Sequence, residues 1–77
     1  MAMNIETKST AALIDELITT SMKCWHAQDR IMDVELSQEQ RLAAAEMAQK
    51  TNARRCELMV AIDGRMGERS VLAKTYA

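Results

Sequence analysis

Two long amphipathic segments, Thr10 to Met32 and Gln38 to Met66, contain no proline and are joined only by Asp33-Val34-Glu35-Leu36-Ser37. Along each, apolar residues recur at alternating steps of three and four, the period of a helix with one buried face. A connector of about five residues forces successive helices to run antiparallel, so the expected fold is an all-α, antiparallel two-helix hairpin, or αα-hairpin. The ends carry their own signals. Ser9 or Thr10 can accept a backbone N–H at the start of the first helix, with Asp15 and Glu16 in its early turns, where the helix dipole favours negative charge. Ser37 followed three places on by Gln40 is a capping box, and Glu39 adds an acid to that turn. Gly64 and Gly67 mark where the second helix should fray or stop. The chain thus divides into an N-terminal arm (1–9), the hairpin (10–66) and a tail (67–77) that is either a short third helix or disordered.

The principal stripe of the first helix reads Ala11, Ile14, Ile18, Ser21, Trp25, Gln28, Met32, with Leu13, Leu17, Cys24 and Ile31 beside it. That of the second reads Leu42, Ala45, Ala48, Asn52, Cys56, Met59, Ile62, Met66. With the turn centred near Glu35, residues at one level have numbers adding to about 70. Trp25 should then meet Ala45, Ile18 should meet Asn52, and Asp15 or Glu16 should meet Arg54 and Arg55. The expected core and interface are Ile14, Ile18, Trp25, Ala45, Asn52, Cys56, Met59 and Ile62, and a buried Trp25 implies a loss of roughly 3–5 kcal/mol on Trp25→Ala. The helices should approach most closely at Ala43-Ala44-Ala45 and Ala48, where side chains are small. Ile14, not Cys24, lies opposite Cys56, which puts the two cysteines beyond the roughly 7 Å Cα limit of a disulfide.

A chain of 77 residues is one domain and too small to bury a sizeable core in a single hairpin. The stripe of the first helix is wide enough for more than one neighbour. The expected assembly is therefore a homodimeric four-helix bundle, or a bundle with a helical protein partner, in which a buried polar residue such as Asn52 fixes register. No apolar run approaches the roughly 18 residues needed to span a bilayer, and Met1-Ala2-Met3-Asn4-Ile5-Glu6 lacks the regions of a signal peptide. No membrane association is expected, and with only two cysteines the expected compartment is a reducing cytoplasm. A net charge of −1, with acids and bases interspersed, gives no electrostatic reason to expect nucleic acid; the only basic group is Lys50 with Arg54 and Arg55.

Candidate chemistry is sparse. His26 and Asp29 stand one turn apart, a spacing at which a carboxylate can orient an imidazole. A lone histidine beside a tryptophan is more commonly a locally bonded flanking residue. Cys24 and His26, two apart on a helix, point to different faces. One histidine and two cysteines at different heights do not make a zinc site, and no Glu precedes His26 by three as di-iron bundles require. No catalytic residue, metal or cofactor is assigned. Asn52, Arg55 and Lys50 can form an anion pocket at a subunit seam, since a guanidinium fork suits carboxylate and phosphate. The candidate ligand-binding set is therefore His26, Asp29, Lys50, Asn52 and Arg55, and the plainer alternative is a hydrogen-bonded layer joining Asn52 to Ser21 or a threonine of the first helix and Arg55 to Asp15 or Glu16, with Asp63 near the frayed end.

The order Leu13-Ile14-x-x-Leu17-Ile18, Trp25-His26-x-x-Asp29, Asn52-x-x-Arg55-x-x-Leu58 and Ile62-Asp63 resembles the helical hairpin of bacterial proteins of domain-of-unknown-function family 4254. The resemblance spans about residues 10–66, only part of the longer family members. It implies an all-helical bacterial protein with no assigned activity and a faint link to surface-polysaccharide functions, and it singles out Trp25, His26, Asp29, Asn52, Arg55 and Asp63. Residues and resemblance together lead to a small non-enzymatic helical interaction or assembly module. The alternative is an oligomeric protein binding a small anion or nucleotide, such as a phage-like or defence-related sponge.

Overall fold

The structure, a computed structural model, describes residues 5–67. A single 3-10 turn (Ile5–Thr7) precedes two helices, α1 (Thr10–Ile31) and α2 (Gln38–Arg65), and there is no strand among the described residues. The helices pack against one another along their length as an αα-hairpin. Residues 1–4 of the expected arm and 68–77 of the expected tail lie outside the described residues.

Local chemistry sets the boundaries. Ser9 is extended, and its hydroxyl accepts the Ala12 N–H at 3.1 Å, which starts α1. At the far end the Met32 N–H donates to the Asp29 carbonyl, and the Asp33 carboxylate accepts the Glu35 N–H at 2.9 Å to shape the connector. The capping box of α2 is complete: Ser37 Oγ accepts from Gln40 N–H at 3.1 Å and Gln40 Oε1 accepts from Ser37 N–H at 2.9 Å. Gly64 remains within the helix, whereas Gly67, just past its end, takes the left-handed conformation at φ 74°. Two arginines of α2 cap other segments. Arg41 Nε donates to the Ile31 carbonyl at 2.9 Å, satisfying an end of α1. Arg65 donates to the Ile5 carbonyl at 2.8 Å and to that of Lys8, holding the N-terminal turn against the overhang of α2.

Register follows the expected levels, with Glu16 against Arg54 and the Cys24 thiol reaching the Ala48 carbonyl at 3.8 Å. Cys24 and Cys56 are free thiols, the first buried and the second exposed. Toward the open end of the hairpin Leu13 and Leu58 are wholly buried and pack with Ile62, and Ile5, Leu17 and Ala61 close over them. Toward the turn the seam is built from small residues: Thr20, Cys24 and Ala27 of α1, and Ala44 and Thr51 of α2. The Thr51 hydroxyl satisfies itself on the Met47 carbonyl at 2.8 Å.

The seam is not the principal stripe of the sequence reading but the one beside it. Ile14, Ile18 and Trp25 are 41%, 56% and 61% exposed, and Asn52, Cys56 and Met59 are exposed as well. Ala45 is half-buried, and Ile62 alone of the expected set is buried in the hairpin. The indole does not fill a hole between the helices, so a core cost for Trp25→Ala does not arise within one hairpin. The physical reason is width. The apolar arc of α1 is broader than one neighbour can cover, and the edge turned inward is the one that pairs Leu13 with Leu58 and the small Cys24 and Ala27 with Ala44. At 100° per residue, Ile14, Ile18, Ser21, Trp25 and Met32 fall on one flank of that seam. Ala45, Asn52, Met59 and Met66 fall on the same flank of α2, and Arg55 Nε bonding Ser21 Oγ across the hairpin joins the two.

Leu58→Ala empties a fully enclosed site and is expected to lower unfolding free energy by about 2–5 kcal/mol, whereas Val60→Ala on the exposed side of the same turn should change it by less than about 0.5 kcal/mol. Urea unfolding followed by circular dichroism on both variants checks the seam.

Candidate functional site

The two flanks of the hairpin have different chemistry. On the apolar flank, Arg55 is held across the helices: Nε donates to Ser21 Oγ at 2.8 Å and Nη1 to Asn52 Oδ1 at 3.1 Å. The expected partners, Asp15 and Glu16, do not engage it. Arg54 takes Glu16 instead, because neighbouring residues on a helix diverge by 100° and only Arg54 points to that side. Arg55 is thus a cation whose partners among the described residues are both neutral, set midway along an exposed apolar surface.

On the opposite flank lies an open groove of about 740 Å³ between the helices. Its floor is Thr20, Ala27, Ala43, Ala44 and Thr51. Lys23, His26 and Arg30 stand along the α1 side, and Lys50 and Arg54 along the α2 side. Among the described residues one acid lines it, Glu16, and that carboxylate is fully engaged. Lys8 Nζ approaches Oε1 at 2.5 Å, and Arg54 binds both oxygens, Nε to Oε2 at 2.6 Å and Nη2 to Oε1 at 3.1 Å. The Arg54 fork, then the Lys8 ammonium, pull the Glu16 carboxyl down from 4.5 to about 2. Glu16 in turn raises the Arg54 guanidinium above its usual value, with Glu57, 3.3 Å from Nη1, as a lesser contributor. Lys23, Arg30 and Lys50 make no ion pair among the described residues.

The expected ligand-binding set is therefore divided. His26 and Lys50 line the groove, Asn52 and Arg55 belong to the apolar flank, and Asp29 lies outside the groove. His26 rests against the Trp25 ring, with centroids 5.4 Å apart and planes tilted by 51°; no hydrogen bond among the described residues joins it to Asp29. Asp63 is half-buried near the end of α2. Among the described residues no three His, Cys, Asp or Glu side chains converge as metal ligands, and no helix is long and apolar enough to cross a membrane. Sequence reasoning missed Lys23 and Arg30, which are two helical turns apart on one line, and the pairing of that line with Lys50 and Arg54. The spacing of seven was the available signal.

No family model, curated protein or solved structure matches this chain.

Glu16, 22% exposed, is stabilised as a carboxylate in the fold, so its contribution is complete above about pH 4.5 and is lost as pH falls toward 2. Allowing for solvent screening, that contribution is about 1–2 kcal/mol. Urea unfolding of the parent chain and Glu16→Gln at pH 7, 4 and 2.5 measures it: the gap between the two should be largest at pH 7 and be mostly, though not wholly, lost at pH 2.5. Parallel profiles would mean that the Lys8–Glu16–Arg54 network contributes nothing.

Proposed function

We propose that this chain is a small non-enzymatic interaction or assembly module that acts by forming a homodimeric four-helix bundle through the Ile14–Trp25 flank. The observation that carries the reading is the exposed apolar strip of Ile14, Ile18, Trp25 and Met32 beside Met59 and Met66. Together these residues present on the order of 700 Å² to solvent, against roughly 800 Å² per partner in a standard interface and a few hundred Å² for an ordinary surface patch. A hairpin with two fully buried side chains has little stability of its own, so covering this strip contributes to folding as well as to association. A second copy is the simplest cover, because the strip lies across both helices and a two-fold axis through it stacks hairpin on hairpin. The kinship with domain-of-unknown-function family 4254 belongs to the same proposal; it rests on the ordered residues quoted above and adds no activity.

Arg55 favours a second reading. Burying its guanidinium between two copies with only Ser21 and Asn52 as partners leaves the charge uncompensated, which is costly. A small anion such as phosphate or a nucleotide at the seam supplies the missing charge.

Light scattering over a dilution series should give twice the 8.6 kDa mass of one chain, with helicity falling as the dimer dissociates. Ile18→Asp and Trp25→Ala should each weaken the dimer by about tenfold or more, and His26→Ala should leave it unchanged. A fully helical monomer at every concentration would refute the dimer. On the second reading, phosphate or ATP raises the melting temperature of the parent chain but not of Arg55→Met.

A further inference from the structure

We propose that the cationic groove opposite the apolar flank is a docking site for an acidic amphipathic helix of a partner protein. The groove's lining includes four of the chain's ten Lys and Arg residues but one of its eleven Asp and Glu residues. In a chain of net charge −1 this concentrates positive potential on one side. Arg54 is taken by Glu16 and Glu57, so the cations left to meet a partner are Lys23 and Arg30 on one rim and Lys50 on the other, with His26 between the first two.

Shape narrows the occupant. From Glu16 to Arg30 the groove follows α1 for about 21 Å at 1.5 Å per residue. Its cations are strung along two rims rather than converging, and no unsatisfied buried side-chain group occurs among the described residues. A compact anion needs convergent donors in an enclosed pocket. A rod-shaped partner with acids on both flanks and a narrow apolar edge does not. The Ala27, Ala43 and Ala44 floor lets such an edge lie close between α1 and α2, completing a third layer in the way helices nest in the groove of a pair. The chain's own C-terminal residues have the wrong sign for the role, since Arg69 and Lys74 outnumber Glu68. Because the groove and the apolar strip occupy opposite flanks, docking here does not compete with a second copy on the strip.

The test uses a synthetic helical peptide of about 18 residues, with Ala and Leu on one stripe and Glu on both sides, labelled for fluorescence anisotropy against the whole chain. The Glu peptide should bind, and the same peptide with Lys in place of every Glu should bind at least about 100-fold more weakly. The double substitution Lys23→Glu with Lys50→Glu should weaken binding by about tenfold or more while circular dichroism and solution mass stay as in the parent. NMR shifts on binding should fall on the methyls of Ala27, Ala43, Ala44 and Met47. Any of four results overturns the proposal: no binding, binding indifferent to the sign of the peptide's charge, shifts confined to the Ile14 and Ile18 side, or displacement of the peptide by duplex DNA or ATP at equal ionic strength.

Discussion

Two helices joined by a short turn share one seam, and here that seam is narrow. Leu13 and Leu58 are the only fully enclosed side chains among the described residues; toward the turn the seam is closed by Thr20, Cys24, Ala27, Ala44 and Thr51. Small side chains let helices approach but bury little apolar area, and burial is worth only about 25 cal/mol per Å². The hairpin therefore relies on auxiliary fastenings. Arg65 draws the N-terminal turn over the Leu13–Leu58–Ile62 cluster, and Arg41 ties the start of α2 to the last carbonyl of α1. Each fastening sits at an end of the seam, and the one at the turn end gives a terminal carbonyl of α1 a partner.

Glu16 is the fastening in the middle. Its carboxylate joins the segment before α1, α1 itself and α2 through Lys8 and Arg54, and both partners are charge-assisted donors. It also removes the groove's single acid from circulation. The neighbouring Arg55 turns to the other flank and finds Ser21 and Asn52. A two-residue Arg-Arg step thus distributes one cation to each side of the hairpin. The consequences differ because Arg54 is neutralised where it lies and Arg55 is not.

Much of this was legible in the sequence, and the limit is instructive. Helix ends were readable to within a residue because Ser9, the Ser37–Gln40 box and Gly67 act on their own backbone neighbourhood. Antiparallel pairing and register followed from connector length, as Glu16 with Arg54 and Cys24 with Ala48 bear out. The inward edge of α1 was not legible. Ile14, Ile18 and Trp25 are stronger apolar signals than Thr20, Cys24 and Ala27, yet the inward edge takes Leu13 at the open end and only small side chains toward the turn, and it leaves the others outside. Periodicity finds the arc, and only the partner's shape decides which part of it turns inward. The groove was missed for a related reason: Lys23 and Arg30 belong to one helix and Lys50 to the other, and their common side exists only once the pair has formed.

The two flanks imply different couplings to folding. Covering Ile18 and Trp25 removes apolar surface from water in a chain whose own core is small, so on the proposed reading association by that flank stabilises the fold itself and is non-directional and little affected by salt. The opposite flank adds nothing to the core. Its floor is already packed and its cations are solvated, so a partner there meets a preformed scaffold, and the attraction is electrostatic and weakens as ionic strength rises. On the proposed reading, therefore, the apolar flank is satisfied first. A hairpin that opens on dilution has no groove, since Lys23 and Lys50 face one another only while the Cys24–Ala48 level of the seam is closed.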